Sequence, residues 1–171
     1  MMTLRPYALP NDCSANDHPA KDHPAKDRPT NDRPLKDRFR RRTILLVEDE
    51  VFVREATRGI LESAGFEVLP SEDAAGAMRV HAACLGRIDL VMTDMILPGG
   101  TGQQLGRDLR ALSPEIVVLV TSGYGNLEYT TETPVSHTYF LAKPYSKRTL
   151  LDKIETILST EELGREATQA G

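Results

Sequence analysis

From Thr43 onward, apolar residues arrive in short blocks separated by helical stripes. Thr43–Val47 (TILLV) is a β-branched run of the kind that fits a strand buried on both faces of a parallel sheet. Val53, Ala56, Thr57, Ile60, Leu61 and Ala64 then recur at spacings of three and four, which places them on one face of a helix. Gly65 is set to cap that helix. Phe66–Leu69 reads as a second strand stopped by Pro70, and the Ala-rich stretch Glu72–Leu85 as a second helix. Ile88–Thr93 is a third strand ending at Asp94, followed by the loop Leu97-Pro98-Gly99-Gly100. A polar helix over Gly102–Leu112, a fourth strand over Glu115–Thr121 and a weak helix over 126–133 come next. Thr138–Ala142 is the fifth strand. Ser146 opens a last helix striped by Leu150, Leu151, Ile154, Ile157 and Leu158, with residues 160–171 expected to fray.

Strands alternating with helices imply an α/β fold built on a parallel sheet. A dinucleotide-binding order needs a glycine-rich turn after the first strand, whereas Glu48-Asp49-Glu50 stands there and repels anions. The expectation is therefore a flavodoxin-like, doubly wound five-stranded parallel sheet of order 2-1-3-4-5 flanked by five helices.

The first forty-two residues follow a different rule. Asp recurs every fifth position from 12 to 37 and Pro from 19 to 34, in units such as KDHPA and NDRPL. Such units carry too little apolar surface to offset the entropy of ordering, so residues 1–42 are expected to form a flexible tail, partly of polyproline-II character. Charge divides at the same boundary. Residues 1–42 hold 10 Lys/Arg against 6 Asp/Glu, while residues 43–171 hold 11 against 19. Arg38, Arg40, Arg41 and Arg42 are a candidate contact for phosphates or an acidic partner, but a solvated linker is the reading preferred here. The domain proper is expected to span 43–159.

Overall composition narrows the classes further. The net charge of −4 argues against a dedicated nucleic-acid binder. Two cysteines are too few for a disulfide framework or a thiolate metal site. With no apolar run near the roughly 20 residues of a membrane span and no secretory signal, a cytoplasmic protein is expected. His81 and His137 are read as exposed or rim histidines, and Cys84 as a small core residue.

In such a sheet, ligands bind at the carboxyl ends of the strands beside the switch point. Asp49 follows the first strand, Asp94 the third, Thr121 ends the fourth and Lys143 follows the fifth, with separations of 45, 27 and 22 residues that match successive crossovers. Glu48, Asp49 and Asp94 crowd negative charge, which calls for a cation, and oxygen ligands suit Mg²⁺. Asp94 offers a nucleophilic oxygen, Lys143 an ammonium and Thr121 a hydroxyl for a phosphoryl group. The set makes a phosphoryl acceptor with no general base to activate water, hence not an enzyme in the turnover sense.

The pieces ILLVEDE (44–50), DLVMTDMILPGGTG (89–102), VLVTSGYG (118–125) and FLAKPY (140–145) closely resemble the receiver domain of two-component response regulators. The resemblance implies Asp94 as phosphoacceptor and Mg²⁺ held by Asp94, Asp49, Glu48 through water, and the Ile96 backbone carbonyl. It further implies Thr121 and Phe140 as switch residues, Lys143 as phosphoryl partner and a cis Lys143-Pro144 bond. The implied donor is a sensor histidine kinase or a histidine phosphotransfer protein. A downstream protein target would be met through the fourth helix, fifth strand and fifth helix. About a dozen residues follow the last helix, so a stand-alone receiver without a DNA-binding output domain is expected. A phosphate sink or relay intermediate is the alternative. An Asp-nucleophile phosphatase is remote, because Ile96 stands where such enzymes carry a second Asp.

Overall fold

A computed structural model of the chain describes residues 42–84, 87–123 and 137–169, with side chains as far as Gly164. The repeat segment and the weak helix expected over 126–133 lie outside those residues. The elements are β1 (Thr43–Val47), α1 (Val51–Ala64), β2 (Glu67–Ser71), α2 (Ala74–Ala83) and β3 (Leu90–Asp94). A two-residue hairpin follows, β4 (Ile96–Leu97) with β5 (Gly100–Thr101), then α3 (Gly102–Leu112), β6 (Val118–Ser122), β7 (Thr138–Ala142) and α4 (Lys147–Gln169).

The five long strands pair in the order β2-β1-β3-β6-β7, all parallel. With β6 and β7 as the fourth and fifth strands, this is the expected 2-1-3-4-5 order. Four of the five expected helices fall among the described residues. The central strands β1 and β6 are buried at every position, and edge strand β7 is only partly covered. Apolar side chains alternate between two cores. Ile44, Leu46, Leu90, Met92 and Leu119 pack with α1 and α4 on one face. Leu45, Val47, Val91, Val118 and Val120 pack with α2 and α3 on the other. Each fully buried Leu or Ile contributes roughly 1.5–3 kcal/mol of transfer free energy, and Leu150 and Ile154 of α4 are both fully buried.

Four expectations are corrected. Pro70 does not stop β2 but lies within it, opposite Leu46; β2 is an edge strand, so a residue without an N–H is tolerated. The last helix does not fray at residue 160 but continues to Gln169. Its extension is held by side chains that periodicity does not reveal: Glu161 accepts from Tyr139 Oη at 2.7 Å and pairs with His137 Nδ1 at 2.6 Å, and Glu162 pairs with Arg42. His81 is buried, at 2% exposure, with Nε2 in hydrogen-bond contact with Ser113 Oγ across the α2–α3 contact. Cys84 is the residue that closes α2, half-buried and outside the core.

Gly65 ends α1 in the left-handed region, at φ 102°, as a C-terminal glycine should. Lys143-Pro144 is cis. No helix among the described residues is long and apolar enough to cross a membrane.

Candidate phosphoryl-acceptor site

The carboxyl ends of β1, β3, β6 and β7 lie side by side, so the residues that follow them share one rim. β3 and β6 register Asp94 directly opposite Thr121, and β6 and β7 register Thr121 opposite Leu141, two residues before Lys143. The Lys143 amide donates to Ser122 O at 2.6 Å, fixing the start of the loop that carries the ammonium.

Lys143 Nζ donates to Glu48 Oε2 at 2.8 Å and to Asp94 Oδ2 at 3.1 Å. Burial alone pulls the ammonium towards its neutral form. The hydrogen bonds and charges of Glu48 and Asp94 outweigh that, so its pKa is raised. Asp94 Oδ1 accepts from the Met95 amide at 2.6 Å, an orienting contact the sequence does not announce. Oxygens of Glu48, Asp49 and Asp94 lie within 4.8 Å of one another. Glu48 is 5% exposed, Asp94 half-buried and Asp49 exposed. Three carboxylates face one ammonium, which leaves an excess of negative charge at the mouth. Oxygen-only donors of that charge fit a hard divalent cation such as Mg²⁺.

Thr121 is buried at 2% exposure and its hydroxyl donates to Thr93 O at 3.3 Å. It sits beside Asp94 without bonding to it. Phe140 is half-buried against the core under α2 and α3. Ile96 lies two residues past Asp94, pairs with Thr101 in the β4–β5 hairpin, and exposes its side chain. All the expected site residues therefore lie at or next to the strand ends, with Phe140 one layer below.

Two further residues support the rim. A Cβ on Gly102 would lie 2.1 Å from Asp94 O, so only glycine lets the start of α3 approach the Asp94 backbone this closely. Arg54 Nη1 donates to Glu48 O at 2.5 Å and to Asp49 O at 3.2 Å. An isolated arginine on a helix carries no signal for such a contact.

The family described as the response regulator receiver domain matches residues 44–155, and the chain belongs to that family. It is 31% identical over 121 residues to the sensor kinase CckA of Brucella abortus, covering 70% of this chain and 13% of that protein. It is 32% identical over 121 residues to the phosphate regulon transcriptional regulatory protein PhoB of Pseudomonas aeruginosa, covering 68% and 52%. The chain thus spans about half or less of the length of these two relatives. Among solved structures, a receiver domain protein from Clostridium thermocellum superposes with a TM-score of 0.67 at 25% identity, covering 71% of this chain and 98% of that one. The receiver domain of the hybrid histidine kinase CckA does so with a TM-score of 0.59 at 32% identity, covering 68% and 98%.

Proposed function

We propose that this chain accepts a phosphoryl group on Asp94 from a phosphohistidine of a sensor histidine kinase or a histidine phosphotransfer protein. The supporting observation is the excess of carboxylate over ammonium at one rim, with Asp94 at its centre and Lys143 bonded to it at 3.1 Å. An Asp94 oxygen attacks phosphorus and the P–N bond breaks. The electron pair stays on the donor's imidazole nitrogen, which takes up a proton. Glu48, Asp49 and Asp94, with the Ile96 carbonyl, would hold Mg²⁺, whose charge favours the phosphoryl oxygens when bound. Lys143 offsets charge on the other side of the group. Before transfer, Lys143 ties Glu48 to Asp94 and keeps two like charges from repelling.

Once Asp94 carries a dianionic group, its neighbour Thr121 exchanges the Thr93 carbonyl for a phosphoryl oxygen. Phe140, on the adjoining strand, follows into the space released. Local charge thereby biases a packed, two-state element, and the altered surface around β7 and α4 changes its protein partners. A shallow, largely open apolar groove of about 450 Å³ beside Lys143, walled by Phe52, Ile60 and Tyr145, gives the donor an apolar footing next to the acceptor. Phe52, at 82% exposure, is the most exposed of the large apolar side chains there. The cytoplasm is the compartment such a donor implies, and the segment before Arg42 serves as a solvated tail of the receiver body.

The test is transfer from a panel of autophosphorylated histidine kinases to the full chain. Asp94→Asn should abolish incorporation. Equal labelling of that variant would sink the assignment.

A further inference from the structure

The helices of this fold begin in different ways. Asp73 caps α2 by accepting from Gly76 N at 2.6 Å, Thr101 caps α3 by accepting from Gln104 N at 3.1 Å, and Ser146 caps α4 by accepting from Thr149 N at 3.0 Å. Alone among the described helices, α1 has no side-chain cap: Glu50 occupies the capping position in an extended conformation, and its side chain makes no capping hydrogen bond. The turn that lacks a cap carries the acid pair. A carboxylate turned back to cap α1 would be lost to the rim, because its oxygens would be spent on backbone amides. The turn must be fixed by other means.

Its two fixings are on the page. On the strand side, the Glu48 amide donates to Ser71 O at 3.1 Å. On the helix side, Arg54 Nη1 reaches back from α1 to the carbonyls of Glu48 and Asp49. Arg54 is itself held in the helix, its amide donating to Glu50 O at 2.9 Å. The guanidinium thus grips carbonyl oxygens from inside the helix, where a cap would have gripped amides from outside it. A bond from a charged donor is about twice as strong as a neutral one.

We propose that Arg54 is the positioning residue of the acid pair, anchoring the carbonyls of Glu48 and Asp49 so that neither carboxylate is spent on capping α1 and both keep an oxygen within 4.8 Å of Asp94's. This rests on the acceptor reading for its purpose, although the anchoring itself does not. A purely electrostatic role predicts the opposite sign. A cation behind three carboxylates weakens their hold on another cation, so its removal would tighten cation binding. Positioning predicts that removal loosens it.

The experiment uses the full chain with Arg54→Gln and Arg54→Lys. Mn²⁺ serves as a paramagnetic stand-in for Mg²⁺ in titrations, and amide hydrogen exchange is followed at Glu48. Arg54→Gln should weaken Mn²⁺ binding about tenfold, the usual scale for losing a residue that orients ligands. The same variant should speed exchange at the Glu48 amide by about tenfold, as the turn opens locally. Arg54→Lys, a point charge without the planar fork, should fall between the parent and Arg54→Gln in both readings. Tighter Mn²⁺ binding by Arg54→Gln, or unchanged exchange at Glu48, overturns the proposal. Exchange needs neither cation nor phosphoryl group, so it decides on Arg54 even if the parent proved to bind no Mn²⁺, a result that would count against the acceptor reading instead.

Discussion

Two glutamates are nearly equally buried in this protein and do different things. Glu48 lies at the carboxyl ends of the strands, Glu161 beside the amino end of β7, and they are 5% and 9% exposed. Both oxygens of Glu161 are engaged: one accepts from Tyr139 at 2.7 Å and the other meets His137 at 2.6 Å. Glu48 shares a single ammonium with Asp94, and Asp49 adds a third carboxylate nearby. A buried carboxylate with a full set of partners fixes structure. Carboxylates that outnumber their cations hold charge in reserve for something that arrives. The contrast separates a site from a clasp without reference to relatives, since burial alone ranks the two residues together.

The contrast is broken most directly by exchanging the expected consequences. Lys143→Met should slow phosphoryl acceptance by about 100-fold, the scale on which losing one charge-stabilising donor acts. Glu161→Gln should leave that rate within about twofold, because its contacts lie at the opposite end of β7. The measurement is the initial rate of transfer from one phosphorylated kinase to each variant. A large loss in Glu161→Gln would mean that the clasp belongs to the site after all.

Stability should show the reverse order of importance. Glu161→Ala leaves the Tyr139 hydroxyl and the His137 ring without their acceptor, which costs about 2 kcal/mol. It also releases the end of α4 where Leu158 is buried. Urea denaturation of variant and parent reads the difference. A change below about 0.5 kcal/mol, the range of ordinary surface substitutions, would demote the clasp to a surface contact.

The same contrast explains what the sequence made legible. Strand order, the rim and its four chemical groups could be read because each rests on a local pattern: a β-branched run, then a polar residue, repeated at crossover spacing. Asp94, Thr121 and Lys143 stand at such boundaries. The clasp could not be read, because Glu161 lies beyond the last apolar stripe and its partners His137 and Tyr139 are 24 and 22 residues away. Arg54 was hidden for a related reason: it bonds carbonyls, and any arginine on a helix looks solvated in sequence. Pro70 misled because its meaning depends on whether β2 is central or at an edge, a property of the assembled sheet. His81 misled because helical position alone does not say which face meets α3.

The smallest expected effect is also the one with a distinct pH signature. Burial, then the hydrogen bond to Glu161 and its negative charge, push the Tyr139 hydroxyl up to about 12 from its ordinary value near 10. The folded protein therefore holds this proton more tightly than the unfolded chain. The resulting stabilisation is complete below pH 10 and is lost as pH rises from 10 towards about 12. Tyr139→Phe removes one hydrogen bond, worth about 1 kcal/mol at neutral pH, and removes that alkaline loss with it. The two proteins should therefore converge in thermal stability as the pH is raised above 10. If the gap between parent and variant stayed constant across that window, the Tyr139 proton would not be held by Glu161, and the clasp would reduce to its contact with His137.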